Sequence, residues 1–120
     1  MITGRHALTY KGGKGENIAV RLLVGKGYAI LAENYRTRRG EIDIIAKDGC
    51  CTVFVEVKYR RHLGFGLPRE AVTARKQRFI RQAALCYAAA NGAADTDMRF
   101  DVIEIYGNDS MRVEHIENAF

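Results

Sequence analysis

Segments of helical and of strand periodicity alternate along these 120 residues, and that alternation predicts a mixed α/β domain, a mixed sheet flanked by helices. Two further observations carry the prediction. One is the Asp48-Gly49 pair, a hairpin signal set between two apolar alternating runs. The other is a hydrophobic fraction of 48%, enough to bury an ordinary core without disulfides or structural metal. The expected order is helix, three strands, helix, two strands, in one domain spanning residues 1–120 with residues 1–13 flexible.

After the Gly-rich start, Glu16 to Val24 carries Ile18, Ala19, Leu22 and Leu23 at helical spacing, and Gly25 and Gly27 supply a stop. Tyr28 to Arg36 reads as a strand, and Thr37-Arg38-Arg39-Gly40 as a turn. Glu41 to Ala46 and Thr52 to Tyr59 then read as the two arms of the hairpin. His62 to Arg69, with two glycines and the single proline Pro68, reads as a loop. Thr73 is placed to cap a long helix over Ala74 to Ala90, whose stripe is Phe79, Ile80, Ala83, Ala84, Tyr87 and Ala88, ending at Asn91-Gly92. Arg99 to Tyr106 and Met111 to Glu117 are the last two strands, joined at Gly107-Asn108-Asp109.

Charge narrows the function. Lys plus Arg number 19 against 14 Asp plus Glu, a net charge of +5, and a basic balance favours an anionic partner, nucleic acid first. The placement says more than the total: residues 34–80 hold eleven bases and five acids, whereas residues 81–120 hold three bases and seven acids. No run reaches the roughly 20 apolar residues of a membrane span, and the first residues form no signal-peptide core. A cytoplasmic protein without a membrane partner is therefore expected. Cys50, Cys51 and Cys86 match neither a disulfide framework nor a zinc spacing and read as reduced thiols.

The chemistry is concentrated in the hairpin. Side chains alternate along a strand, so Ile42, Ile44 and Ala46 share a face with Val53, Val55 and Val57 if the register keeps like faces together. The opposite face then collects Glu41, Asp43 and Ile45 with Thr52, Phe54, Glu56 and Lys58. Asp43 and Glu56 become neighbours, within reach of one divalent ion. Mg²⁺, or Mn²⁺ in its place, takes hard oxygen ligands, typically one or two carboxylates with water and phosphate. Lys58, two residues from Glu56, can orient a water or offset charge on phosphorus. A Glu-x-Lys pair on a solvated strand is by itself an ordinary wet surface. Two features argue against that reading. Phe54 and Ile45 sit among the charges, and Arg36, Arg38, Arg39, Arg60, Arg61, Arg75, Lys76 and Arg78 crowd the hairpin ends and the start of the long helix, as a phosphate backbone would require. His6, His62 and His115 are too scattered for a triad, and Asp101 reads as a strand-end residue. Tyr35, Tyr59 and Phe65 could stack on bases, though packing is the commoner use of such rings.

At these residues the sequence resembles the YraN-type family of small bacterial proteins. The resemblance is carried by Gly40-Glu41-Ile42-Asp43-Ile44-Ile45-Ala46, Val53-Phe54-Val55-Glu56-Val57-Lys58, Gly66-Leu67-Pro68-Arg69-Glu70-Ala71-Val72, Phe100-Asp101-Val102 and His115-Ile116-Glu117-Asn118-Ala119-Phe120, and runs from Gly15-Glu16 to Phe120. That family is grouped with restriction-endonuclease-like, PD-(D/E)XK folds and is similar to archaeal Holliday-junction resolvases. The resemblance implies that Asp43, Glu56 and Lys58 are the catalytic D, E and K, that Asp43 and Glu56 with Glu16 hold the metal, and that Lys76 or Gln77 is the polar position on the following helix. Ile42 stands where the signature has proline. The expectation is a metal-dependent endonuclease acting on DNA or structured nucleic acid, with a homodimer suited to cutting two strands. Two rivals are a non-catalytic nucleic-acid-binding module on the same fold and a protein-interaction domain whose acidic last third meets the basic middle of a second copy.

Overall fold

The structure is a computed structural model that describes residues 5–11, 15–60, 72–107 and 110–120, with side chains described for residues 18–60, 72–107 and 112–120. Its elements are β1 (Arg5–Lys11), α1 (Gly15–Gly25), β2 (Ala29–Arg36), β3 (Glu41–Asp48), β4 (Cys51–Arg60), α2 (Ala74–Ala90), β5 (Asp97–Tyr106) and β6 (Ser110–Ile116). The seven expected elements are there, and β1 is an addition: it lies within residues expected to be flexible and pairs antiparallel with β6. The expected loop over 62–69, and Asn108 and Asp109 of the last turn, lie outside the described residues.

One mixed sheet of order β1-β6-β5-β4-β3-β2 runs through the molecule. Among the described residues its only parallel neighbours are β4 and β5; the chain between them is long enough to hold α2, because a parallel return needs a crossover. The helices take opposite faces. Ile18, Ala19, Leu22 and Leu23 of α1 pack with Ile44, Ala46, Val53, Val55, Ile103 and Ile105. Ile80, Ala83, Ala84 and Tyr87 of α2 pack with Ile45, Phe54 and Val102 on the other side. With both faces covered, β4 is buried continuously from Thr52 to Glu56, as a central strand between two layers must be. This is the mixed α/β architecture expected of a restriction-endonuclease-like domain.

Local chemistry explains the element ends. Gly27, at φ 89°, ends α1; its N–H donates to Val24 O while Tyr28 N–H donates to Leu23 O, the paired bonds of a Schellman cap. The Thr73 side chain accepts from Lys76 N–H at 3.1 Å, satisfying one of the free donors at the start of α2. Two side-chain assignments change. Phe79 leaves the α2 stripe and is 37% exposed, flanking Gly40 so closely that a Cβ there would meet Phe79 Cβ at 3.0 Å. Ile42 packs with the α2 cluster and not with Ile44, so the alternation of β3 breaks at Asp43.

Candidate metal centre

The β3–β4 hairpin closes on the pair Asp48↔Cys51 with two residues between, and Gly49 takes φ 60°, the left-handed first position that a two-residue turn uses. Pairing then runs Lys47↔Thr52, Ala46↔Val53, Ile45↔Phe54 and Ile44↔Val55. One step further, that register brings Asp43 opposite Glu56. The ladder gives way there: Val57 N–H donates to Asp43 Oδ2 at 2.8 Å, so a side-chain carboxylate takes the donor that a backbone carbonyl would otherwise receive. Both acids face α2, because Lys76 at the start of that helix sits in the field of both.

Glu56 is 3% exposed, and its Oε2 lies 2.8 Å from Lys76 Nζ and 3.7 Å from Lys58 Nζ. The Lys76 ammonium is held above its usual range, first by its hydrogen bond to Glu56 and against the opposing effect of burial. Asp43 is pushed up to about 7, by burial first, then by a hydrogen bond shared with Glu56 and by that acid's charge, while the Val57 N–H pulls the other way. Two carboxylates and two ammonium groups therefore meet on one face of the sheet. The donor chemistry fits a hard divalent ion: two oxygen-bearing side chains, crowded enough that one retains its proton near neutrality, gain from a cation between them. Among the described residues no set of three or more His, Cys, Asp and Glu converges, which leaves a two-carboxylate set, insufficient for a closed zinc site.

The other predicted residues distribute as follows. Glu16 lies on α1, its side chain outside the described set, and Arg61 falls outside the described residues altogether. Gln77 is engaged by the backbone, its Nε2 donating to Val72 O at 2.9 Å. Arg60 is engaged by buried Glu104, Nε to Oε2 3.3 Å. Arg38 and Arg39 are exposed in the turn before β3, Arg36 is exposed beside Glu41 at 3.6 Å, and Arg75 is exposed over the Phe79 ring at 5.4 Å. Arg75, Lys76 and Arg78 stand at the start of α2, where no acid is found, although the helix dipole disfavours cations there by some 0.3–1 kcal/mol each. Helix stability does not explain them, and of the three Lys76 is drawn in by Glu56. The Val57 N–H has no signature in the sequence at all, because its role is set by where the ladder breaks.

Asp101 requires a correction. It is no strand-end residue but the fully buried centre of a network on the α1 face. Its Oδ1 accepts from Arg99 Nε at 3.0 Å and Asn118 N–H at 3.1 Å. Its Oδ2 accepts from Arg99 Nη2 at 3.0 Å and faces His115 Nε2 at 2.7 Å. The other His115 nitrogen, Nδ1, lies 2.7 Å from Lys26 Nζ; an ammonium only donates, so Nδ1 accepts and Nε2 donates to Asp101.

Among the described residues no helix is long and apolar enough to cross a membrane. The chain is 47% identical over 119 residues to a UPF0102 protein of Geobacter sulfurreducens, covering 98% of this chain and 93% of that one. It is 50% identical over 109 residues to a UPF0102 protein of Desulfosudis oleivorans, covering 91% and 88%, and 47% identical over 116 residues to one of Chlorobium phaeobacteroides, covering 91% and 92%. Residues 15–105 match the model of the uncharacterised protein family UPF0102, and with identity at this level over nearly its whole length the chain belongs to the UPF0102 family.

Proposed function

We propose that this protein is a divalent-cation-dependent nuclease that hydrolyses phosphodiester bonds in DNA or structured nucleic acid. The reading rests on one observation above all: Asp43 and Glu56, from adjacent strands, share the α2 face with Lys58 and Lys76 beside them. Asp43 and Glu56 would hold Mg²⁺ or Mn²⁺, which supplies charge neutralisation at a phosphate oxygen and acidifies a water. The residues of the chain do the rest. Lys58, with its ammonium 3.7 Å from Glu56, stands where it can offset charge that develops on the phosphate in the transition state. Exposed Arg36, Arg38, Arg39 and Arg75 supply sequence-independent contacts to the backbone. The layers that cover Glu56 exclude water and strengthen each of these interactions.

Titration with Mg²⁺ and Mn²⁺, followed by cleavage assays on junction, flap and duplex DNA, tests the reading. Glu56→Gln should weaken cation binding about 100-fold and abolish cleavage. Cation binding indifferent to that substitution would remove the nuclease reading. Glu56-dependent cation binding with salt-sensitive DNA binding but no cleavage of any substrate would favour the non-catalytic module instead.

A further inference from the structure

Among the described residues Lys76 is the cation closest to Glu56, and it comes from the helix, not from the strand that carries Lys58. Its Nζ is 2.8 Å from Glu56 Oε2, against 3.7 Å for Lys58, yet its side chain is 47% exposed while that of Glu56 is 3% exposed. A buried carboxylate needs a counter-charge, and a long, half-exposed side chain can supply one and be withdrawn into water with little desolvation cost.

We propose that Lys76 is a built-in, displaceable counter-ion: it occupies the carboxylate pair of the metal-free protein and yields that place when a divalent cation binds. The inference rests on the reading of Asp43 and Glu56 as a cation site. Two charge carriers compete for one buried oxygen, Glu56 Oε2. The divalent ion wins because it carries twice the charge and bonds to both acids, whereas the ammonium reaches Oε2 of one. The displaced ammonium then stands beside Arg75 and Arg78 at the start of α2, where the phosphate of an incoming strand would receive it. Lys58 keeps its longer contact in either state and balances the site without blocking it.

Calorimetric titration of the full chain with Mg²⁺ alone, without nucleic acid, tests this. Lys76→Met should bind Mg²⁺ about tenfold more tightly than the unaltered protein, and Lys76→Gln should reproduce the gain should the first variant fold poorly. Lys58→Met should change the affinity less, and Glu56→Gln should lose it. In ¹H–¹⁵N spectra of lysine ammonium groups, the Lys76 signal should be protected without Mg²⁺ and lost on its addition. Equal or weaker Mg²⁺ binding by both Lys76 variants, with Glu56-dependent binding intact in the unaltered protein, overturns the inference while leaving the cation site standing. Absence of Glu56-dependent binding in the unaltered protein and in both Lys76 variants overturns the two together.

Discussion

Each face of the sheet carries an acid drawn away from water, Asp101 wholly and Asp43 in part, and the two are treated in opposite ways. On the α1 face Asp101 receives donors on both oxygens, from Arg99 twice, from His115 and from the Asn118 backbone. Burial alone would raise its pKa, but the hydrogen bonds of His115 and Arg99 and the Arg99 charge outweigh burial and hold its carboxyl below the usual range. On the α2 face Asp43 takes the Val57 N–H, shares its space with another acid and is pushed up to about 7. The first cluster is complete within the chain and ties β5, β6 and the end of α1 together. The second takes its positive charge from Lys58 and Lys76, whose side chains stand partly in water. A buried acid whose partners are themselves buried holds a fold; one whose counter-charges stand partly in water can exchange them for a ligand.

That contrast should be widest in Asp101→Asn. It leaves Arg99, 4% exposed, without its full counter-charge, and should cost about 3–5 kcal/mol in urea unfolding. A loss under about 1 kcal/mol would mean the network is not what holds β5 to β6. Gly40→Ala should cost about 1–3 kcal/mol through overpacking against Phe79, since the clash involves the α2 backbone as well as a side chain. Glu56→Gln, by contrast, should change stability by less than about 1 kcal/mol without added cation, because Lys76 remains solvated when its partner is removed. A loss as large as that of Asp101→Asn would make Glu56 a structural acid and erase the distinction between the faces.

The pH profile separates the same two acids. Asp101 is depressed, so its contribution is present above the usual carboxylate range and is lost as pH falls through its folded value, on the acid limb. Asp43 is raised from 3.8 to about 7, so its contribution is full below its unfolded value and declines as pH rises from about 4 to about 7. Stability of the metal-free protein should therefore decline across that second interval, and Asp43→Asn should flatten the decline while leaving the acid limb in place. A decline of unchanged slope in Asp43→Asn would assign it to other groups.

Much of this was legible in the linear chain. The limits of α2, Ala74 to Ala90 with Thr73 as its cap, follow from a strong capping residue and a six-residue apolar stripe, both local signals. The hairpin follows from Asp48-Gly49. What was misread depended on partners remote in sequence. β1 carries no apolar alternation of its own and exists by pairing with β6. β5 begins at Asp97, two residues earlier than its apolar pattern, because it pairs in parallel with Cys51 and Thr52. Phe79 looked like core because its spacing is helical, yet it lies on the flank that meets Gly40. Asp101 looked like a strand terminus because its donors come from Arg99, His115 and Asn118, and two of those three arrive from the C-terminal end.

Strand periodicity and a two-residue turn were enough to put Asp43 and Glu56 on a common side, because register parity is counted along the chain. Only the packed structure decided that α2 would cover them, that Lys76, twenty residues beyond Glu56, would reach in before Lys58, and that Val57 would give its N–H to a side chain. Those outcomes depend on the distance between layers and on which groups are denied water, and both are properties of the assembled fold.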